Sequence, residues 1–299
     1  MNKTFWKALG AVTLMTAMLT GCGSTTTDTT ADKAGSAAGS ATAAKTTAEE
    51  TTVTMFAAKS LNTVMEELIA VYEDEHDGVK IVGSYDSSGT LMTQIEEGAE
   101  CDVFFSAAQK QMDELESKDF VVDGTRCNIV NNQVCVVTYK DSGTAVTGLK
   151  DIASASSFAL ADGSVPVGKY TRTAMIAAGM LDKVDDSSTI TTKQVSEALG
   201  GIEINECANV GAVTSAVAEG SNEVGTVYKS DTYGFEDKLD ILEVLPYDLT
   251  GNVIYPAAQI VNSEADDAEV SAAKEFVAFL ASDEAKTIFE KYYFDTNVK

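Results

Sequence analysis

Hydroxyls and backbone amides, rather than acids, bases or thiols, are the groups this chain spaces for chemistry. Ser87-Ser88-Gly89-Thr90 follows a strand-like run at 79–82 and opens a short helical run. Leu91, Met92 and Ile95 share one face of that run, and Gly98 stops it. A strand that breaks at serines and a glycine and then starts a helix leaves several backbone N–H groups free. Hydroxyls stand beside them, and the positive end of the helix dipole points the same way, so the geometry suits an anion. For an isolated S-S-G-T, a plain N-cap at Ser87 or Ser88 is the ordinary reading. The construction recurs, however. Residues 53–58 read as a strand, and Ser60 precedes a helix with apolar Leu61, Val64, Met65, Leu68, Ile69 and Tyr72. Two strand–Ser–helix units in one α/β domain bring two helix N-termini to the sheet edge where such sheets bind ligands.

Other chemistries are poorly supplied. The one histidine, His76, lies in a polar Glu73-Asp74-Glu75-His76-Asp77 run at a helix end and reads as part of a solvated face. A hydrolase using Ser60 or Ser88 would need a base within reach, and no histidine is near either stretch. The expectation is a protein that is not an enzyme, with no cofactor and no directly bound metal cation. The formal charge of −25 argues against nucleic acid or an anionic membrane surface as a partner. It also means that an anion must be held by local dipoles against an unfavourable overall field.

The elements that must position these groups alternate. Strand-like runs at 102–106, 134–139, 158–161, 202–205, 224–228, 239–245 and 253–261 are interleaved with helices at 109–118, 170–178, 210–219, 268–281 and 283–292. Asn209 can cap the helix that opens at Val210. Between 162 and 168 lies a loop in which Pro166 bars an earlier helix start and Gly168 allows close backbone approach. The β-α order predicts parallel sheets. With 299 residues, 44% of them hydrophobic, the chain can form two cores. The fold class is therefore α/β and two-lobed. Lobe I comprises 53–131 plus 255–299, lobe II comprises 132–254, and the ligand binds in the cleft between two domains joined by a hinge.

The N-terminus reads as an export signal over 1–21. Lys3 and Lys7 form a charged start, and the apolar stretch 8–19 is short for a membrane span. Leu19-Thr20-Gly21-Cys22 resembles a bacterial lipobox, so Cys22 is the expected lipidation site and 23–52 a polar tether. This places the protein outside the cytoplasm, anchored to the cell membrane as a lipoprotein. Cys101, Cys127, Cys135 and Cys207 fit no zinc spacing and leave disulfides and buried thiols both open.

The stretches FAAKSL (56–61), SSGTLMTQIEEGAECDVFFSA (87–107), VPVGKY (165–170), EVGTVYKSD (223–231), YPAA (255–258) and EKYYF (290–294) occur in one order along almost the whole folded region. In these the chain resembles the extracytoplasmic molybdate-binding proteins of ABC importers. The resemblance implies the two-lobed periplasmic-binding-protein fold and a monomer that delivers molybdate, and tungstate, to a membrane permease. It also implies an oxyanion held by hydroxyls and amides without a cation. By motif position these are the Ser60 and Ser88 hydroxyls, the Val167 and Val210 amides and Tyr228. A deprotonated tetrahedral dianion only accepts hydrogen bonds, so a shell of donors makes chemical sense. Tyr228 on its residue type alone reads as a core tyrosine with its hydroxyl satisfied, the commoner case for a tyrosine in a strand. Val167 stands where the family often has alanine. Residues 185–206 look longer than the usual connection, which weakens the placing of Val210. Lys169, Asp86 and Asp231 flank the motifs, and an inward carboxyl would favour a protonated oxyanion such as hydrogen phosphate. Binding of sulfate or phosphate is the alternative within this class.

Overall fold

A computed structural model describes residues 50–298, so the expected export signal, Cys22 and most of the tether lie outside the described residues. The chain opens with β1 (Thr51–Ala58), α1 (Asn62–Glu75), β2 (Val79–Asp86), α2 (Ser88–Glu96), β3 (Val103–Phe105), α3 (Gln109–Ser117) and β4 (Cys127–Asn132). It then builds β5 (Val134–Tyr139), β6 (Ser157–Ala161), α4 (Pro166–Ala177), α5 (Thr192–Ala198), β7 (Glu203–Cys207), α6 (Val210–Ala218), β8 (Val224–Tyr228), β9 (Leu239–Val244) and α7 (Tyr247–Thr250). It returns through β10 (Val253–Gln259) and ends with α8 (Asp267–Leu280) and α9 (Asp283–Lys291).

The strands form two five-stranded sheets, in the orders β2-β1-β3-β10-β4 and β7-β6-β8-β5-β9, which gives a two-lobed α/β fold. Only Gln133 separates β4 of the first sheet from β5 of the second. Sheet pairing resumes at Val253, opposite Asn132. The sheets are mixed rather than parallel. β1 runs parallel to β2 and β3, and β6 to β7 and β8, but β10 and β5 are antiparallel to their neighbours. The reason is the hinge: a parallel neighbour needs a crossover, and β5 and β10 arrive directly from the other lobe.

Both faces of the first sheet are covered. Val53, Met55 and Ala57 point into a core with Leu61, Met65, Phe276 and Phe289. Phe56 and Phe104 point the other way, onto Leu91, Ile95, Met112 and Leu115. This is why the strands carry near-continuous apolar runs. Cys101, Cys135 and Cys207 are buried and Cys127 is half-buried, all as free thiols, so the open cysteine question is answered without a disulfide. Packing as a small hydrophobe explains them. Among the described residues no helix is long and apolar enough to cross a membrane.

Candidate functional site

The carboxyl ends of β1, β2, β6, β7 and β8 face the cleft, and each hands the chain to a turn that carries one of the singled-out residues. After β1 a 3-10 turn (Lys59–Leu61) sets Ser60 at the cleft. After β2, Ser87 caps α2 through Thr90 N–H at 3.1 Å, which frees Ser88 at the first helical position for another task. The Ser88 hydroxyl accepts the Ala107 N–H at 2.9 Å, so its own proton remains to be given.

In the second lobe α4 starts at Pro166, earlier than the 170 start expected from the sequence. Proline suits the first helical position because its missing N–H would be unpaired there anyway. The correction matters: Val167 and Gly168 are first-turn residues of a helix, not loop residues. No side chain caps α4, so their N–H groups are free of intrahelical partners and point out of the helix start. A Cβ on Gly168 would lie 2.1 Å from the Asp162 carbonyl oxygen, so this tight turn requires glycine. Arg172, fully buried, braces the turn. Its Nη1 donates to the carbonyls of Ala161 (2.8 Å) and Gly168 (2.9 Å), and its Nε to Ile190 (2.7 Å). The segment 185–206 thus has a structural use. It supplies Ile190 and Thr192 to Arg172, and it carries Asp186 and Ser188, which take Lys110 of the other lobe at 2.8 and 3.2 Å. Asn209 caps α6 through Ala212 N–H at 3.0 Å and leaves the Val210 amide in the open first turn.

Ser60, Ser88, Val167, Val210 and Tyr228 line one small, tight cavity between the lobes, of about 10 Å³. Ala58, Lys59, Ser87, Ala107, Val165 and Pro166 complete its wall. No carboxylate is among these residues. Two helix N-termini, two serine hydroxyls and a phenol converge, a set that can donate to a small anion and accept little from it.

Tyr228 is 1% exposed, and its hydroxyl has no hydrogen-bond partner among the described residues. Burial above all, with Tyr255 beside it, pushes its pKa well above the ordinary value, so it stays a protonated donor. Its ring meets Tyr255 edge-on at 5.7 Å. Tyr255, which sequence reading did not single out, sits at the centre of a relay. Asn132 Nδ2 donates to the Tyr255 hydroxyl at 3.2 Å, and that hydroxyl lies 2.9 Å from Ser60 Oγ. With Tyr255 donating, Ser60 has its proton left for the cavity. Asn132 also donates to Ser230 Oγ at 2.9 Å, tying the hinge to the far lobe. The only sequence signal for Tyr255 was its YPAA stretch, and for Asn132 there was none.

The flanking charges fall outside the cavity wall. Lys169 faces Asp186 at 3.9 Å. Asp86 takes Asn209 Nδ2 at 3.0 Å across the cleft. Asp231 accepts the Tyr228 N–H at 3.0 Å, and burial pushes its pKa up to about 7. His76 stacks on Tyr72 with ring centres 3.9 Å apart, at the opposite end of α1 from Ser60. Among the described residues no group of acidic, histidine or cysteine side chains could hold a metal ion.

Fold and cavity together define a class: a two-lobed binding protein that closes over one small solute. The chain belongs to the bacterial extracellular solute-binding proteins, whose family pattern it matches over residues 53–295. It is 31% identical over 252 residues to the molybdate-binding protein ModA of Haemophilus influenzae, covering 81% of this chain and 89% of that one. It is 30% identical over 247 residues to YvgL of Bacillus subtilis, provisionally named an ABC transporter substrate-binding lipoprotein, covering 82% and 87%. Among solved structures it resembles the substrate-binding domain of a provisionally assigned molybdenum ABC transporter from Clostridium difficile. That likeness has a TM-score of 0.60 and 30% identity, and covers 83% of this chain and 99% of that one.

Proposed function

We propose that this protein captures molybdate, and tungstate by the same donors, outside the cytoplasmic membrane and delivers it to the permease of an ABC importer. The observation that carries the reading is the Tyr228 hydroxyl, buried without a partner among the described residues, in the cavity that Ser60, Ser88, Val167 and Val210 also line. A buried unpaired donor costs about 1–3 kcal/mol, and an anion accepting from it removes that cost. The hydroxyls of Ser60 and Ser88, the amides of Val167 and Val210 and the Tyr228 phenol are assigned as the binding groups. A shell of neutral donors holds a dianion through charge-assisted bonds and still lets it go. The ModA relatives, named for molybdate binding, support the choice of anion. The protein acts by binding and release, with no catalytic step. It works as a monomer anchored through a diacylated Cys22, a reading supported by the lipoprotein name of YvgL.

Isothermal titration with molybdate, tungstate, sulfate and phosphate tests this. Tight binding of the first two with weak or no binding of the others is expected. Equal affinity for sulfate would make the protein a general oxyanion binder.

A further inference from the structure

We propose that Lys59 is the gate of the anion cavity: its ammonium draws the anion in, and its methylene stem seals the cavity once the lobes have closed. The proposal deepens the reading above and rests on it for the choice of probe. Lys59 belongs to the first lobe, in the turn between β1 and Ser60, and it lines both the small cavity and a wider cleft of about 300 Å³ outside it. Among the residues walling the two spaces it is the only cation. Its stem lies across the second lobe. A Cβ placed on Gly211 would sit 3.0 Å from Lys59 Cγ and 3.1 Å from Cε. Gly211 is the second residue of α6, beside Val210, so the stem runs over the helix start that faces the anion. The bare glycine is what lets it lie there.

Lys59 forms no ion pair among the described residues, whereas Lys80, Lys110, Lys118, Lys140 and Lys291 each take a carboxylate within 3 Å. Asp231 also walls the outer cleft; its carboxyl accepts the Tyr228 N–H and makes no ion pair with Lys59 among the described residues. A free ammonium at the mouth of a cleft in a chain of formal charge −25 is a local reversal of sign on the anion's route. Clefts focus such fields and raise on-rates, and the effect weakens with salt. The stem acts differently. It occupies the mouth only when the lobes are together, so it slows escape rather than speeding arrival.

The two parts separate by mutation of the full-length chain, with molybdate and sulfate as probes and stopped-flow tyrosine fluorescence as the readout across a sodium chloride series. Lys59→Met keeps the stem and removes the charge. It should lower the molybdate on-rate by about threefold to tenfold at low salt, converge on wild type at high salt, and leave the off-rate unchanged. Lys59→Ala should lose the same on-rate and in addition raise the off-rate by about threefold or more. Lys59→Arg should keep the wild-type on-rate and its salt slope. An unchanged on-rate and salt slope in Lys59→Met overturn the steering role. Equal off-rates in Lys59→Met and Lys59→Ala overturn the seal. If wild type binds sulfate and not molybdate, the functional reading fails while the gate is still judged on sulfate; binding of neither overturns both.

Discussion

Asn209 Nδ2 donates to Asp86 Oδ1 at 3.0 Å, joining the helix start that presents the Val210 amide to the strand end that presents Ser88. One side chain therefore does two jobs, because its Oδ1 also caps α6 through the Ala212 N–H. The bond crosses the cleft, so any opening of the lobes would have to break it, and it would favour the closed state. Asp86→Ala removes the latch and keeps the Asn209 cap of α6, and it also removes the acceptor of the Ser87 N–H at 2.7 Å. It should weaken molybdate binding by about threefold to tenfold, since a charged hydrogen bond is worth about 1.5–3 kcal/mol and this one is half-exposed. Titration calorimetry that finds no change would show that closure does not depend on it.

Removing a donor from the wall should cost more. Ser88→Ala and Tyr228→Phe should each weaken molybdate binding by about tenfold to a hundredfold, the loss of one bond to a charged partner. Val167→Ala should cost little because its proposed contact is the amide. Lys169→Ala should also cost little because its ammonium faces Asp186. A large loss at Lys169 beside a neutral Ser88 would replace the donor mechanism by charge pairing.

Tyr255→Phe touches no proposed ligand contact, yet it breaks the relay from Asn132 to Ser60. Ser60 is then free to turn its proton elsewhere, and binding should weaken by about threefold to tenfold, less than for Tyr228→Phe. The calorimetric ranking of the two variants is the check; a Tyr255 loss exceeding the Tyr228 loss would assign the direct contact to Tyr255.

Asp231 should make stability fall with rising pH. Burial raises its carboxyl from 3.8 to about 7 in the folded protein. Between those values the folded state holds a proton that the unfolded chain has lost. Its contribution is therefore full below the unfolded pKa and is lost as pH rises through about 7. The melting temperature, followed by circular dichroism, should drop between about pH 4 and about pH 7, and Asp231→Asn should flatten that drop. Parallel slopes in the two proteins would remove Asp231 as the titrating group.

Cys22→Ala should leave the protein unlipidated and move it from the membrane to the soluble fraction. Fractionation that finds the variant as membrane-bound as wild type would reject the lipid anchor.

Local pattern was enough to read much of this protein. The alternation of strand and helix runs follows from apolar periodicity, and the caps at Ser87 and Asn209 follow from residue types that hydrogen-bond their own backbone. The donor character of the cavity wall was legible too, because serines and helix starts at strand ends are local features. Other facts depended on residues far apart in the chain. The sheets are mixed because β5 and β10 enter directly from the opposite lobe, which no local run records. The true start of α4 rests partly on Arg172 gripping the Ala161 and Gly168 carbonyls from within the fold. Tyr255 and Asn132 stand 123 positions apart and matter only because the hinge brings them together. Lys59 draws notice only because the second lobe lays Gly211 against its stem. Periodicity and capping are short-range and survive in the sequence. Which side chain meets which across a cleft is set by closure of the lobes, and only the tertiary structure decides it.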